Sequence, residues 1–256
     1  VPMRVDADGL AVAAARRAAP RARLAVVTPA NQSPLGAALS LPRRLELLAW
    51  AEESGAWVLE DDYDAEFRYV GKPLPALKSL DRADRVFYAG SFSEVLHPGL
   101  RLGYLVPPAA MVEACRRAAA LGSAGTPVLE QKAVAAFVRS GAFARHIRRM
   151  RALYARRRAA LAAALDVAFG ARVRIEPTAG GMHLLIRLAP GVDDAGLARL
   201  AAGRGLAATA LTGLARGHHP GPGLLLGFAN IAEDQAPAMA RRLAEALATG
   251  LGAMGA

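Results

Sequence analysis

The chain has 256 residues, of which 54% are hydrophobic and 21% are charged. This length and this hydrophobic content are enough for one large domain, or two modest ones, with buried cores. No uninterrupted apolar run could span a bilayer, and the N-terminus lacks the basic and apolar regions of a signal peptide. The single cysteine, Cys115, excludes an internal disulfide framework and a cysteine-based zinc site. We therefore expect a cytoplasmic protein.

The formal net charge is +10, which leaves a nucleic-acid partner open. The only lysines are Lys72, Lys78 and Lys132, so the positive charge comes almost wholly from arginine. Heavy use of arginine, alanine and glycine is typical of a GC-rich genome, and the arginines are spread over many segments. One alternative function follows from this composition: a basic scaffold that binds DNA or an acidic partner through the arginine-rich residues 145–158.

The first half of the chain alternates between strands and helices. Ser40 and Pro42 are typical of a helix start, and Gly55 is typical of a helix end. We predict helices at residues 10–19 and 41–54, and strands at residues 1–5, 23–28, 56–59, 85–89 and 102–106. The strand at residues 23–28 is of the buried type, and the apolar side of the second helix carries Leu45, Leu48, Trp50 and Ala51. Such alternation favours an α/β fold with a mostly parallel sheet. Because ligands bind off the carboxyl ends of strands in such sheets, Asp61 and Ser91 are candidate site residues.

The second half is helical from Ala109 and ends in a compact α+β unit. Apolar residues between Phe143 and Leu165 recur at helical spacing, with arginines on the other faces. We predict further strands near residues 173–175, 182–188 and 224–228, and helices near residues 194–204 and 232–248. We therefore divide the chain into residues 1–145 and residues 146–256.

The segment from Gly90 to Tyr104 reads GSFSEVLHPGLRLGY. It resembles the cofactor-anchoring loop of fold-type-I enzymes that use pyridoxal 5′-phosphate (PLP). In that family a lysine of this loop forms a Schiff base with the cofactor aldehyde, and Glu94 stands at its position here. A carboxylate cannot form an imine. The resemblance therefore names a family and predicts that this member does not transaminate and has no catalytic residue at this position.

The same resemblance implies cofactor contacts for other residues. In the run EDDYDAEFRY (residues 60–69), Asp61 matches the aspartate that binds the pyridine nitrogen, and Tyr63 matches the tyrosine that reaches the phenolic oxygen. Ser91 and Arg101 match phosphate-binding positions on either side of Glu94, and Ser93 is adjacent to them. Without the family resemblance, an aspartate such as Asp61 at the end of a strand would more often form a hydrogen bond within a loop. An arginine such as Arg101 would more often form an ion pair at the edge of the sheet.

The loop TPANQSPLG (residues 28–36) resembles the T-P-x-H-Q-x-P-x-G loop of MocR-type regulators of the GntR family, as does KPLPAL (residues 72–77). Asn31 occupies the histidine position of that loop and is a further candidate for cofactor binding. These regulators join a winged-helix DNA-binding domain to an aminotransferase-like domain. The resemblance implies that residues 1–145 are a remnant of the PLP-binding large domain, and that residues 146–256 are a linking helix and the α+β small domain.

Two further departures from the family give expectations. The glycine- and serine-rich phosphate-binding turn, the tyrosine-bearing segment that follows it and the winged helix do not occur in these residues, so we expect an N-terminally truncated member. The arginine that grips a substrate carboxylate would fall at Gly223, which leaves Arg216 as the nearest candidate for substrate binding. His218 and His219 lack an apparent third ligand, so we predict no metal site.

The resemblance implies a domain that senses a small amine or amino-acid effector and forms a homodimer. We expect PLP to bind weakly and without a covalent bond, or to have been lost, and DNA to be contacted only through the winged helix, with no membrane partner. An active class I/II aminotransferase is an alternative, which would need Lys72 or Lys78 to reach the cofactor. A fragment that does not fold stably is another.

Overall fold

The computed structural model describes residues 1–122 and 127–252. Their contacts divide the chain into two compact units. The first unit holds most of residues 1–149. The second unit holds the chain from Met150 onward, together with Pro2 and the segment Pro34–Gly36.

The first unit is built around a four-stranded sheet with the order β3-β4-β5-β6. Strands β3, β4 and β5 are parallel, and β6 runs antiparallel to β5. This arrangement confirms the α/β fold with a mostly parallel sheet. The elements are β1 (Val5–Asp6), β2 (Gly9–Leu10), α1 (Val12–Ala18), β3 (Leu24–Val27), α2 (Leu41–Ser54), β4 (Trp57–Asp62), β5 (Val86–Ser91), β6 (Gly103–Val106), α3 (Val112–Gly122), α4 (Val128–Arg139) and the first turns of α5 (Ala142–Phe169).

Helix α2 packs against this sheet with a face that differs from the predicted one. Leu47, Trp50 and Ala51 are buried in the same core as Val58 of β4. Leu45, which the apolar spacing placed on the buried side, is 52% exposed. The helix ends at Gly55, which adopts a φ of 66° as a left-handed cap. At the other end Ser40 holds the N-cap position, but its side chain makes no capping hydrogen bond.

The apolar sequence of β3 predicted a buried strand, but β3 is only partly buried. Leu24 and Val26 are 51% and 63% exposed, and β3 has a hydrogen-bonded neighbour on one side only. Strand β6 at the opposite edge is exposed along its whole length. The described part of the first unit therefore has two apolar sheet edges in solvent.

The second unit contains a four-stranded antiparallel sheet with the order β7-β8-β10-β9. Leu185, Leu211 and Leu225 form a core cluster, against which Leu35 packs. Most of α5 belongs to this unit, with β7 (Arg174–Ile175), β8 (His183–Arg187), α6 (Asp194–Gly203), β9 (Thr209–Ala210), α7 (Leu211–Leu214), β10 (Gly223–Gly227) and α8 (Ala236–Gly252).

Three arginines of α5, all within residues 145–158, are tied to this unit. Arg156 pairs with Glu233 at 2.9 Å, Arg157 donates to the carbonyl of Ala229, and Arg158 donates to the carbonyl of Thr178 at 2.6 Å. Part of the predicted basic face therefore makes structural contacts. None of the described helices is both long enough and apolar enough to cross a membrane.

Candidate functional site

The candidate site lies at one edge of the first unit's sheet. In the parallel register of β4 and β5, Asp61 is opposite Ala89 and Asp62 is opposite Gly90. In the antiparallel register of β5 and β6, Ser91 is opposite Gly103. The carboxyl ends of β4 and β5 therefore meet at this edge, which is where α/β sheets bind ligands.

Asp61 extends from this edge as an exposed side chain. Neighbouring protein atoms nevertheless remove part of its hydration, and together with the charge of Asp62 they raise the pKa of its carboxyl. Within residues 1–122 and 127–252, no hydrogen-bond or salt-bridge partner of this carboxylate is found. A free strand-end carboxylate of this kind is available to a ligand.

A buried network joins the loop at residues 28–36 to the end of β4. Asn31 donates from Nδ2 to Asp64 Oδ2 at 2.6 Å and to the Tyr63 hydroxyl at 3.3 Å, and that hydroxyl donates to the Asn31 carbonyl at 3.1 Å. Asn31 and Asp64 are only 6% and 2% exposed. The candidate Tyr63 is thus held by the candidate Asn31, and its hydroxyl proton is already engaged.

The ionisation of this network is shifted. Burial raises the pKa of Asp64 to about 7, although the hydrogen bond from Asn31 opposes that shift. The charges of Asp62, Glu66 and Glu94 raise it further. Burial and the charge of Asp64 also raise the pKa of Tyr63, so its hydroxyl stays protonated. Sequence reasoning missed Asp64, because nothing in the EDDYD run distinguishes a buried aspartate from its exposed neighbours.

Two tyrosines form the next part of this edge. Tyr88 donates to Asp62 Oδ2 at 2.8 Å, and the Tyr88 and Tyr104 rings lie 6.0 Å apart. Tyr104 is directly opposite Gly90 across the β5–β6 ladder, and a Cβ on Gly90 would collide with the Tyr104 ring. Glycine is therefore the residue that allows this ring to lie over the strand.

The loop between β5 and β6 carries Ser91, Ser93, Glu94 and Arg101. Ser91 Oγ accepts a hydrogen bond from the Ser93 amide at 3.1 Å, which fixes the first turn of the loop. Arg101 is exposed and adopts a φ of 50°, the left-handed region that a non-glycine residue enters only at a cost of about 1 kcal/mol or more. No acceptor for its guanidinium is found among the described residues, so it is available to an anion.

Glu94 is exposed in the same loop. Its charge raises the pKa of Asp64, so its carboxylate lies within electrostatic range of the buried network. Across the described parts of the chain, it has no hydrogen-bond or ion-pair partner.

Two buried charges, which sequence reasoning also missed, support the loops around this edge. Arg44 of α2 is 3% exposed and donates to the carbonyls of Leu39, Pro75 and Pro29 at 2.8, 2.6 and 2.9 Å. Glu60 is 2% exposed and accepts from two successive amides, at residues 77 and 78, at 2.7 and 2.8 Å. Burial lowers the pKa of Arg44 and raises that of Glu60.

The three lysines are either exposed or held in ion pairs. Lys78 pairs with Asp84 at 2.8 Å and with Asp81 at 3.6 Å. Lys72 is exposed in the loop after β4, and Lys132 is exposed on α4.

The remaining candidates lie in the second unit. Arg216 is an exposed residue of the loop between α7 and β10. The amide of Gly223 donates to the buried Asp194 at 3.0 Å, and a Cβ on Gly223 would come within 2.9 Å of the Ile186 carbonyl oxygen. Any side chain at 223, an arginine included, would therefore need the sheet to shift. Among the described residues, no three or more His, Cys, Asp or Glu side chains are grouped so that they could hold a metal ion, around His218 and His219 or elsewhere.

Comparison with known proteins gives curated relatives that are mainly regulators. The chain is 37% identical over 231 residues to the "Probable rhizopine catabolism regulatory protein MocR" of Rhizobium meliloti, which is 90% of this chain and 46% of that protein. It is 36% identical over 227 residues to the pyridoxine biosynthesis transcriptional regulator PdxR of Corynebacterium glutamicum, covering 88% of this chain and 49% of that protein. The chain thus spans about half the length of these relatives.

The solved structures that the chain resembles include aminotransferases. LysN, the alpha-aminoadipate aminotransferase of Thermus thermophilus, superposes with a TM-score of 0.89 at 29% identity, over 99% of this chain and 66% of that chain. The kynurenine aminotransferase of Pyrococcus horikoshii, whose structure is a complex with pyridoxamine 5′-phosphate (PMP), superposes with a TM-score of 0.87 at 28% identity, over 97% of this chain and 63% of that chain.

The sequence profile of the family "Aminotransferase class I and II" matches residues 2–216. Because this match covers most of the chain, and because the fold agrees with that of the solved aminotransferases, the protein belongs to the aminotransferase class I and II family.

Proposed function

We propose that this chain is the aminotransferase-like, cofactor-binding and effector-sensing domain of a MocR-type transcription regulator of the GntR family. The relatives at 36–37% identity are named as regulators, and they support this assignment. In this proposal the domain acts as a homodimer and responds to a small amine or amino acid. DNA is contacted by a winged-helix domain outside residues 1–256.

The residues at the sheet edge fit the polar ends of PLP but not its covalent attachment. The carboxylate of Asp61 would hold the ring nitrogen, and the guanidinium of Arg101 with Ser91 would hold the phosphate, since neither charged group has a partner within the described ranges. Tyr63 would reach the phenolic oxygen only as an acceptor, or after releasing the Asn31 carbonyl. When bound, the cofactor supplies an aldehyde that reacts with amines.

The single observation that carries the proposal is the partnerless carboxylate of Glu94 at the predicted lysine position. Without an amine at this point the loop lacks the group that would form the covalent bond and move the substrate's alpha proton, a role worth about 10²–10⁴ in rate. Lys78 is held by Asp81 and Asp84, which weighs against the alternative of an active aminotransferase that uses it. We therefore propose reversible binding without transamination.

A PLP titration followed by absorption spectroscopy and dialysis tests this function. We expect the spectrum of the free aldehyde, with binding that dialysis reverses. A retained imine band that borohydride fixes to Lys72 or Lys78 would overturn the proposal in favour of the enzyme. Absence of any binding would remove the cofactor from the function.

Glu94→Lys tests the assignment of position 94. We expect the variant, incubated with PLP and reduced with borohydride, to carry the cofactor on the peptide that contains residue 94. Glu52→Lys, on the exposed face of α2, introduces the same charge change elsewhere in the first unit. Equal labelling of both variants, or no label on residue 94, would show that this position does not face the cofactor.

The basic-scaffold alternative is less well supported. Arg156, Arg157 and Arg158 contact Glu233 and backbone carbonyls of the second unit, so these three cations are partly committed to the fold. A steep salt dependence of DNA binding by this chain, abolished by charge reversal at Arg148 and Arg149, would favour that alternative instead.

A further inference from the structure

The candidate edge carries several acidic side chains. Asp61 and Asp62 lie at the end of β4, opposite Ala89 and Gly90 of β5, and Glu94 is exposed in the loop that follows β5. In the part of the chain that the structure describes, none of these three carboxylates forms a salt bridge. A bound cation would therefore meet carboxylates that no described cation already pairs with.

Glu94 is negatively charged at the position where the family has a positively charged lysine, which would lie next to the aldehyde of the cofactor. A lysine joins an aldehyde covalently, whereas a carboxylate cannot react with an aldehyde and gains nothing from its neutral oxygen. The same carboxylate attracts an ammonium group and accepts its hydrogen bonds. The aminomethyl group of PMP carries such an ammonium at the carbon that bears the aldehyde in PLP.

We propose that Glu94 makes this site select the amine form of the cofactor, PMP, over the aldehyde form, PLP, and that Glu94 is the specificity-determining residue. This inference rests on the proposed cofactor site and names the ligand that the site prefers. The domain then reports the supply of an aminated cofactor, so a reaction that aminates PLP would generate its ligand.

One finding supports the proposal independently of position 94. The fold itself accepts PMP, because the kynurenine aminotransferase of Pyrococcus horikoshii, with a TM-score of 0.87, was solved in complex with it.

The test compares PMP with pyridoxine 5′-phosphate by isothermal titration calorimetry of the purified chain. Pyridoxine 5′-phosphate has the same ring and phosphate, with a neutral hydroxyl in place of the ammonium, and it cannot react with lysines. We expect PMP to bind about fivefold more tightly, the scale of a solvent-exposed ion pair. PLP, measured in the same buffer, should bind no better than pyridoxine 5′-phosphate.

Glu94→Gln isolates the charge while keeping the shape of the side chain. We expect this variant to bind both ligands with the affinity that the unaltered chain has for pyridoxine 5′-phosphate, so the preference disappears. Glu52→Gln removes a carboxylate from the exposed face of α2 and should leave the fivefold preference intact. Because both side chains are exposed, both variants should melt like the unaltered chain.

The outcomes separate the two proposals. If pyridoxine 5′-phosphate and PLP bind as tightly as PMP, or if Glu94→Gln keeps the preference, the role of Glu94 is refuted while the cofactor site stands. If none of the three ligands binds, the proposed cofactor site fails, and the inference about Glu94 fails with it.

Discussion

At the scale of single residues, two features of the candidate edge have measurable consequences. One is the buried carboxyl of Asp64, and the other is the missing side chain of Gly90. Both lie beside residues that the family resemblance singled out, and neither was itself singled out. Each is explained by a contact that depends on the folded chain.

Asp64 should make the stability of the chain fall with rising pH. Its pKa is about 7 in the folded state and about 3.9 in an unfolded chain, so the folded state holds an extra proton between these values. Stability falls with pH wherever the folded state binds more protons. We expect Asp64→Asn, which keeps the acceptor for Asn31, to lack this loss and to gain about 2–3 kcal/mol relative to the unaltered chain between pH 5 and pH 8.

Urea unfolding of both proteins at the two pH values measures this difference. Asp8→Asn, at an exposed position of the same unit, serves as the control and should show no such gain. A constant difference between Asp64→Asn and the unaltered chain would mean that Asp64 is ionised throughout this range.

Gly90→Ala should destabilise the first unit by about 1–3 kcal/mol. The new Cβ collides with the Tyr104 ring, which must turn away and lose its contacts with Tyr88 and Phe92. Thermal or urea unfolding measures the loss. Gly122→Ala on α3, where a Cβ meets nothing within 4 Å, should be neutral or stabilising. Equal stabilities of the two variants would mean that Tyr104 does not pack over Gly90.

At the scale of elements, helix α2 holds the loops of the candidate site through one cation. Arg44 contacts the carbonyls at both ends of the segment from Pro29 to Leu39, and also the loop that ends near Pro75. The rigidity of the Asn31 loop therefore depends on a helix that contributes no side chain to the candidate cofactor contacts.

Arg44→Lys should destabilise the chain by about 2–3 kcal/mol, because one ammonium cannot reach three diverging carbonyls as a guanidinium does. We expect faster amide hydrogen exchange in residues 29–39 than in the rest of the first unit. Arg17→Lys, near the end of α1 and exposed, should change neither stability nor exchange. Unchanged exchange in residues 29–39 of the Arg44 variant would show that other contacts hold this loop.

The sequence predicted the elements well where local chemistry sets them. Gly55 ends α2, as predicted, because its backbone is left-handed, whereas β4 runs to Asp62 and the predicted strand ended at residue 59. Arg44 was not predicted, because a buried arginine is identifiable only from carbonyls that the fold brings together. Leu45 was placed on the wrong face for the same reason, since the choice between adjacent helix positions depends on packing.

The family resemblance identified the candidate cofactor contacts, and the structure adds which of these side chains already have hydrogen-bond partners. Asp61 and Arg101 have no side-chain partner among the described residues, whereas Tyr63 is hydrogen-bonded to Asn31. No sequence pattern distinguishes an engaged tyrosine from a free one, because the difference lies in a loop 32 residues away along the chain.

At the scale of the whole molecule, the described first unit has an unusual surface for a parallel sheet, whose faces and edges are normally covered. Leu24 and Val26 on β3 and Tyr104, Leu105 and Val106 on β6 are exposed. Unpaired apolar strand edges favour association with other chains.

The isolated 256-residue chain should therefore associate as its concentration rises. Sedimentation velocity over a wide concentration range measures this, and Val26→Lys should shift the equilibrium toward the monomer by placing a charge on the β3 edge. Val167→Lys, at an 88% exposed position of α5, is the matched control and should leave association unchanged. A monomer at all concentrations would show that these edges are not adhesive.

The loop between β5 and β6 joins two adjacent antiparallel strands, so it is a hairpin connection and not a crossover. Both strands are complete outside this loop, and among the described residues Glu94 makes no hydrogen bond or ion pair. A substitution at position 94 therefore breaks no described contact of either strand. In the proposed function, a single codon change at this position would remove the covalent chemistry and leave the ligand-binding sheet intact.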